Sequence, residues 1–269
     1  MRDTVKERPL PRVTLYRPRD HLLKNWAEFL PFFNDPEPLE DLKGGKRPHR
    51  RFFVFETDGK KWHIKKMSYL ISPRMRDRFR GFFLFPPAAL LQFKRALRVR
   101  AAGPETVFPF FVLTRREGIK IQGLFISPYS GSGLLHEVFL SGSVSRDTKT
   151  GLFVKGIEDL RKMHKSGITH GDAHSSNILV EEGRLLWCDF DMMRTGRVYL
   201  EFKGRRRDLY RFIRSAVAAA ISRGEWNEPL KRELLRLCGE LYPKFSRLEK
   251  GIIRRLSEKF REFSSPPGS

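Results

Sequence analysis

One short stretch of this chain holds the side chains that phosphoryl transfer requires. His170-Gly171-Asp172-Ala173-His174-Ser175-Ser176-Asn177 has the spacing H-x-D-x-x-x-x-N, and the apolar run Ile178-Leu179-Val180 follows at once. In such a loop the Asp accepts or orients the proton of an attacking hydroxyl. The Asn, after four intervening residues, bends back to hold a metal ion, and the apolar triplet anchors the loop in a strand. Leu185-Leu186-Trp187-Cys188-Asp189-Phe190-Asp191 then reads as an apolar strand that delivers an Asp at its end. Mg²⁺ is a hard cation, bound through one or two carboxylates plus phosphate oxygens. Asp172 and His170 are thus the candidate catalytic residues and Asn177 and Asp189 the candidate metal ligands, with Asp191 placed to assist. A lone H-G-D says little, because an Asp before a turn is often only a cap. The weight lies in the combination of loop, strand, turn, strand and second Asp. His174 stays open between packing the loop and taking part in the chemistry.

The same spacing is that of a kinase catalytic loop, so ATP and Mg²⁺ are the expected cofactors and an upstream lysine should hold the phosphates. Trp62-His63-Ile64-Lys65-Lys66 lies where a return strand is expected, and Lys65, directly after Ile64, fits best. Lys66 points to the opposite face of a strand and is expected in solvent. Gly44-Gly45 is either a reduced phosphate-covering loop or a plain turn, since no full G-x-G-x-x-G is present. Leu124-Phe125-Ile126-Ser127, followed by Pro128 to Gly133, fits a hinge whose backbone at Ile126 would pair with adenine. The helix after the first hairpin, Pro87 to Arg100, carries no Glu or Asp to pair with Lys65.

These residues need scaffolding. Arg51 to Thr57, the turn Asp58-Gly59, and Lys60 to Met67 read as a hairpin. Phe108 to Arg115 and Ile119 to Ser127 read as a second strand pair. His21 to Phe33 is amphipathic at helical spacing through Leu22, Leu23, Trp26, Phe29 and Leu30. Helices are expected over Gly151 to Ser166, Arg207 to Arg223, Glu228 to Tyr242 and Phe245 to Phe263. Two short strands, Ile178 to Glu181 and Leu185 to Asp189, come between. The predicted fold class is α+β, a two-lobed protein-kinase-like fold with a strand-rich N-lobe and a helical C-lobe. The expected divisions are an N-terminal extension over 1–45, a nucleotide-binding lobe over 46–128, a catalytic lobe over 129–263 and a disordered tail over 264–269.

Among the 269 residues, 53 Lys and Arg face 31 acidic residues, a formal charge of +22. Such an excess points to a polyanionic partner: nucleic acid, an anionic membrane surface or a phosphorylated glycan. The 23 Phe predict an aromatic core. Cys188 and Cys238 make neither a metal cluster nor a disulfide framework, which suits a reducing cytosol. MRDTVKERPL lacks the apolar stretch of a signal peptide, and no run reaches the roughly 18 apolar residues of a membrane span.

HGDAHSSNILV, LWCDFD and RRRDLYRFIRSA together resemble the bacterial lipopolysaccharide core kinases, which phosphorylate heptose or 3-deoxy-manno-octulosonic acid (Kdo). Asp208 to Ser215 fills the place of that family's Arg-Leu-rich helix. Phe93 to Arg98 and on to Gly103-Pro104 resembles its helix-then-turn segment, which often lacks a conventional Glu. The resemblance covers about residues 50–217. The catalytic motifs are shared with aminoglycoside phosphotransferases, so they speak for reaction more than for substrate. It implies Asp172 as base, Asn177 and Asp189 as metal ligands, Lys65 on the ATP phosphates, and lipopolysaccharide core or a lipid A–core precursor as acceptor. It also implies a cytoplasmic location, peripheral to the inner membrane. Lys46 to Arg51, Arg74 to Arg80 and Arg205-Arg206-Arg207 would hold the anionic glycolipid. Phe79, Phe82, Phe83 and Phe85 belong either to the membrane interface or to the core. Two other readings remain: a protein or small-molecule kinase of the same fold, and a non-catalytic binding protein for nucleic acid or anionic membrane.

Overall fold

The computed structural model describes residues 4–10, 12–18, 25–34, 49–70, 87–107, 110–117, 120–129, 131, 133–196, 203–225 and 228–241. The chain is a mixed α+β protein that divides into two compact units, Met1–Leu97 with Val107–Gly131, and Arg98–Thr106 with Ser132–Ser269.

The first unit is built on one antiparallel sheet. Its strands are β1 (Thr4–Leu10), β2 (Val13–Pro18), β3 (His49–Thr57), β4 (Lys60–Leu70), β5 (Phe111–Glu117) and β6 (Lys120–Pro128), in the spatial order β1-β2-β5-β6-β4-β3. The expected hairpin is β3–β4. Asp58 and Gly59 form its turn, both with positive φ, as a tight hairpin turn of this kind demands. Residues 4–10 and 13–18 do not lie in an extension: β2 pairs with β5, so both N-terminal strands join the sheet. Pro and charge disguised them. Leu15 and Val13 alternate with polar neighbours and bury into the same core as Ile64 and Leu113.

Side-chain alternation gives the sheet two apolar faces. Ile64, Phe111, Leu113, Leu124 and Ile126 face a 3₁₀ helix, Trp26–Phe33, which inserts Phe29 and Phe33. Phe29 meets Phe55, Trp62 and Phe111 edge to face, with centroids 5.1 to 6.0 Å apart. The aromatic core expected from composition is here. The α-helical spacing from His21 condenses into this 3₁₀ element, with Pro31 inside it; residues 21–24 lie outside the described residues. On the opposite face, Met67, Val112 and Phe125 pack with Ala89, Leu90 and Phe93 of helix α1 (Ala88–Ala101). Gly123 permits that approach, since a Cβ there would stand 2.6 Å from the Ala89 Cβ.

The second unit holds β7 (Gly133–Leu134), α2 (Leu135–Leu140), α3 (Arg146–Lys165), β8 (Ile168–Thr169), β9 (Ile178–Glu181), β10 (Arg184–Trp187), β11 (Arg194–Thr195), α4 (Lys203–Ser222) and α5 (Glu228–Leu241). β10, β9 and β7 form a small sheet, and β11 pairs with β8. Ser145 caps α3 by accepting the Thr148 N–H at 3.2 Å. Residues 98–106 belong to this unit because the Trp187 N–H donates to the Glu105 carbonyl at 3.0 Å. Among the described residues, no helix is long and apolar enough to cross a membrane. The helix expected over Phe245 to Phe263, the tail 264–269 and the basic aromatic stretch 71–86 lie outside the described residues.

Candidate active site

The loop from His170 to Asn177 leaves β8 and enters β9. Its apolar continuation behaves as the sequence suggests: Ile178 is fully buried and pairs with Trp187. The Cys188 N–H donates to the Asn177 carbonyl at 3.0 Å, which ties the end of the loop to the segment carrying Asp189. The two candidate metal residues are therefore joined through their backbones.

Asp172 lies at the half-exposed edge of this loop. The Asn177 amide donates to the Asp172 carbonyl at 2.9 Å and lies 3.4 Å from its Oδ2. His174 Nε2 is 3.4 Å from the same Oδ2 and 3.3 Å from the Asn177 amide. On the other side, the Arg211 guanidinium of α4 pairs with Asp172 Oδ1 and donates to the Gly171 carbonyl at 2.7 Å. The carboxylate is thus oriented by a cation, an amide and an imidazole. It is an acceptor at a surface that a hydroxyl can reach, the position a general base needs.

His170 has a different role from the one expected. It is completely buried, between Trp187 at 5.4 Å and Phe190 at 5.2 Å. Its Nδ1 lies 3.3 Å from the Asp172 backbone N–H, which can only donate, so Nδ1 accepts. Nε2 then carries the proton and donates to the Cys188 carbonyl at 3.1 Å. Burial holds the imidazole below its usual pKa, against the opposing pull of Asp208. With both nitrogens engaged, His170 is a positioning residue that links the two Asp-bearing segments.

The anchor of the loop is Asp208, whose place in α4 the sequence showed but whose function it did not. Its buried carboxylate accepts the His170 N–H at 2.8 Å and the Gly171 N–H at 2.9 Å, and His164 Nε2 lies 3.2 Å away. A buried carboxylate satisfied by two backbone donors fixes the loop more rigidly than apolar packing can. One signal was available: Asp208 is the single acid in a helix of Arg, apolar and small residues. Gly171 is required at its position. Its φ is +86°, and a Cβ would stand 2.2 Å from the Met192 carbonyl oxygen.

Asp189 takes left-handed backbone angles, φ 57° and ψ 64°, at the start of a short 3₁₀ turn, Phe190–Met192. Among the described residues no cluster of three or more His, Cys, Asp and Glu could hold a metal. A site of Asn177 and Asp189 has one carboxylate and one amide oxygen, both hard donors. It suits Mg²⁺, which completes its shell with water and phosphate.

In the first unit, Lys65 is 5% exposed, with its ammonium 5.8 Å from the Phe52 ring centroid. Its register partners are Phe52 and Phe125, so it shares the sheet face on which α1 packs. Phe52 and Val54 are exposed there, and Phe52 stacks on His63 at 5.6 Å. Lys66 is not in solvent. It is fully buried, and its ammonium donates to the Phe33 carbonyl at 3.3 Å, which also accepts Arg115 and Gln122 at 3.0 and 3.2 Å. That carbonyl, near the end of the 3₁₀ helix, turns Lys66 into a core tether. Ile126 does not offer its carbonyl to a base: it lies within central strand β6, flanked by β4 and β5, and its oxygen accepts the Phe110 N–H at 2.9 Å. Gly44 and Gly45 lie outside the described residues, as do Lys46 to Pro48 and Arg74 to Arg80. Arg205 is half-buried and donates to the His164 carbonyl at 3.2 Å, where it caps the end of α3.

No family model matches the chain, and no curated protein does.

Proposed function

We propose that this chain is an ATP-dependent kinase that phosphorylates a sugar hydroxyl, heptose or Kdo, of the lipopolysaccharide core at the cytoplasmic face of the inner membrane. The observation that carries the reading is the loop geometry: Asp172 held by Asn177, with Asn177 tied through Cys188 to the segment bearing Asp189. In this reading the two units are the two lobes of a protein-kinase-like fold. The strand-rich first unit supplies Lys65 for the ATP phosphates, and the second supplies the base and the metal residues.

The chain's own groups would act mainly by placement, as phosphoryl transfer demands. Asp172 receives the proton of the acceptor hydroxyl. Arg211 and Asn177 keep its carboxylate aimed, and Asp208 keeps the loop in place. Asn177 and Asp189 are the oxygen donors that would hold Mg²⁺, which neutralises phosphate charge when bound. On the nucleotide side, α1 carries no carboxylate, and its buried polar residue is Gln92. Exposed Phe52, stacked on His63 beside Lys65, offers a flat aromatic surface suited to a base. The charge of +22 favours an acidic glycolipid acceptor and an anionic membrane face.

Purified protein incubated with labelled ATP, Mg²⁺ and core oligosaccharide should transfer one phosphate per core, and Asp172→Ala should not. Cores from cells lacking the protein should be lighter by one phosphate in mass spectrometry. Cores of unchanged mass, or full transfer by the Ala variant, would defeat the proposal. Transfer to protein or aminoglycoside acceptors alone would keep the reaction and replace the substrate.

A further inference from the structure

The catalytic loop follows the C-terminal end of α3. At the N-terminal end of that helix, roughly 30 Å away for 20 residues at 1.5 Å each, lies a cavity that the chemistry above does not use. Its volume is about 500 Å³, within the range of sites that enclose small organic ligands. It is lined by elements of the second unit alone: α2, α3, α4 and α5 with the segments between them.

The lining has two chemistries. Phe139, Phe153 and Leu234 give it a buried apolar wall. Arg146, Lys149 and Arg223 put three cations around it. Two of these are matched, Arg146 by Glu233 at 2.5 Å and Arg223 by Glu225, itself part of the lining, which accepts from Nε at 2.6 Å and also from Nη2. Lys149 donates to the Ser141 carbonyl at 2.5 Å and, among the described residues, forms no close ion pair, though the Glu225 carboxylate is near enough to favour its charged form. Its ammonium is pushed below the usual lysine range, first by desolvation and then by the nearby Arg223 charge. The remaining Arg223 nitrogen, Nη1, is buried and, among the described residues, has no hydrogen-bond partner. A buried guanidinium N–H left in that state is costly, and an anionic oxygen relieves it. The cap Ser145 and the first residue Arg146 of α3 border the same space, so the helix dipole adds to the preference for negative charge.

An inorganic anion would satisfy the cations and leave the apolar wall uncovered. A neutral hydrocarbon would do the reverse. We propose that the cavity binds a single-chain amphiphile with an anionic head group, the phosphate or carboxylate at Arg223 and Lys149 and the chain along Phe139, Phe153 and Leu234. The occupant would touch the first of a series of rings that leads to the catalytic loop. Phe153 stacks on Phe212 at 5.5 Å, Phe212 meets Trp187 at 6.1 Å, and Trp187 meets His170 at 5.4 Å.

The test is calorimetric titration of the full chain without nucleotide, which keeps it independent of the kinase reading. The probes are decyl phosphate below its micelle concentration, 1-decanol and inorganic phosphate. One decyl phosphate should bind per chain, at least about tenfold more tightly than either part alone. Because a chain of +22 attracts any anion, the charge control is Lys165→Gln, exposed at the other end of α3. Lys149→Gln and Arg223→Gln should each weaken binding about tenfold and Lys165→Gln should leave it unchanged. Ala216→Phe, which fills the cavity from α4, should abolish binding while the melting temperature shows that the chain still folds. Equal weakening by Lys165→Gln would overturn the proposal, as would binding indifferent to Lys149→Gln or inorganic phosphate that binds as tightly as decyl phosphate.

Discussion

The carboxylate of Asp208 accepts the backbone N–H groups of both His170 and Gly171, at 2.8 and 2.9 Å, with no solvent exposure. One side chain of α4 thereby sets the course of the loop that carries Asp172. Asp208→Ala would strand two buried N–H groups, at about 1–3 kcal/mol each. The urea midpoint should fall accordingly, and phosphate transfer should be lost. Asp208→Asn keeps one acceptor and should lie between. An Ala variant as stable as wild type would show that the loop is held by other contacts.

Asp172 is half-exposed and makes no apolar contribution to the core, so its removal should separate chemistry from folding. Asp172→Asn should lower kcat by about 10²–10⁴, the usual worth of a general base, with the melting temperature little changed. Single-turnover phosphate transfer beside a thermal melt checks both halves of this expectation.

Adjacent Lys65 and Lys66 should behave oppositely, because they lie on opposite faces of β4. Lys65→Met should raise the KM for ATP, with a modest change in stability. Lys66→Met removes the tether to the Phe33 carbonyl and should cost about 1–2 kcal/mol, with KM for ATP unaltered. Urea melts and nucleotide titrations of the two variants make the comparison.

His170 is held below its usual pKa of 6.5 by burial. Its neutral form is the one the fold accepts, so the unfolded chain binds the proton more readily. Stability therefore rises with pH through the region below 6.5 and is fully present above it; acidification from pH 7 to 5 should lower the urea midpoint. One such group contributes a slope of at most about 1.4 kcal/mol per pH unit. His63, lowered chiefly by burial and then by Lys65, acts in the same direction. His170→Gln should lower stability overall and flatten the slope without removing it. An unchanged slope in that variant would mean that His170 does not titrate in this range.

Gly156 sits where a Cβ would lie 2.1 Å from Phe212 Cζ. Gly156→Ala should displace Phe212, which packs on both Phe153 and Trp187, at a cost of about 1–3 kcal/mol from overpacking. Near-ultraviolet circular dichroism should register the movement of the Trp187 surroundings. Gly239, where a Cβ meets nothing within 4 Å, is the neutral control.

Much of the architecture was legible in local patterns. β3 and β4 flank Asp58-Gly59, α1 follows Pro87, and β9 and β10 enclose Gly183, because turn chemistry and side-chain alternation act between neighbours in the chain. The loop from His170 to Asn177 was legible for the same reason: its spacing is itself local. β1 and β2 were hidden, since what brings the pair into the sheet is the pairing of β2 with β5, a hundred residues away. The short 3₁₀ helix over Trp26–Phe33 likewise reflects the aromatic face it fills.

The roles of single side chains divide along the same line. Sequence alone placed Asp172, Asn177, Asp189 and Lys65 as candidates, by residue type and interval. Tertiary structure decided that His170 is an internal strut, that Lys66 is buried, that the Ile126 carbonyl is already engaged, and that Asp208 and Arg211 reach the loop from α4. Burial and hydrogen-bond partnership are set by what distant segments bring into contact, and no interval along the chain encodes them.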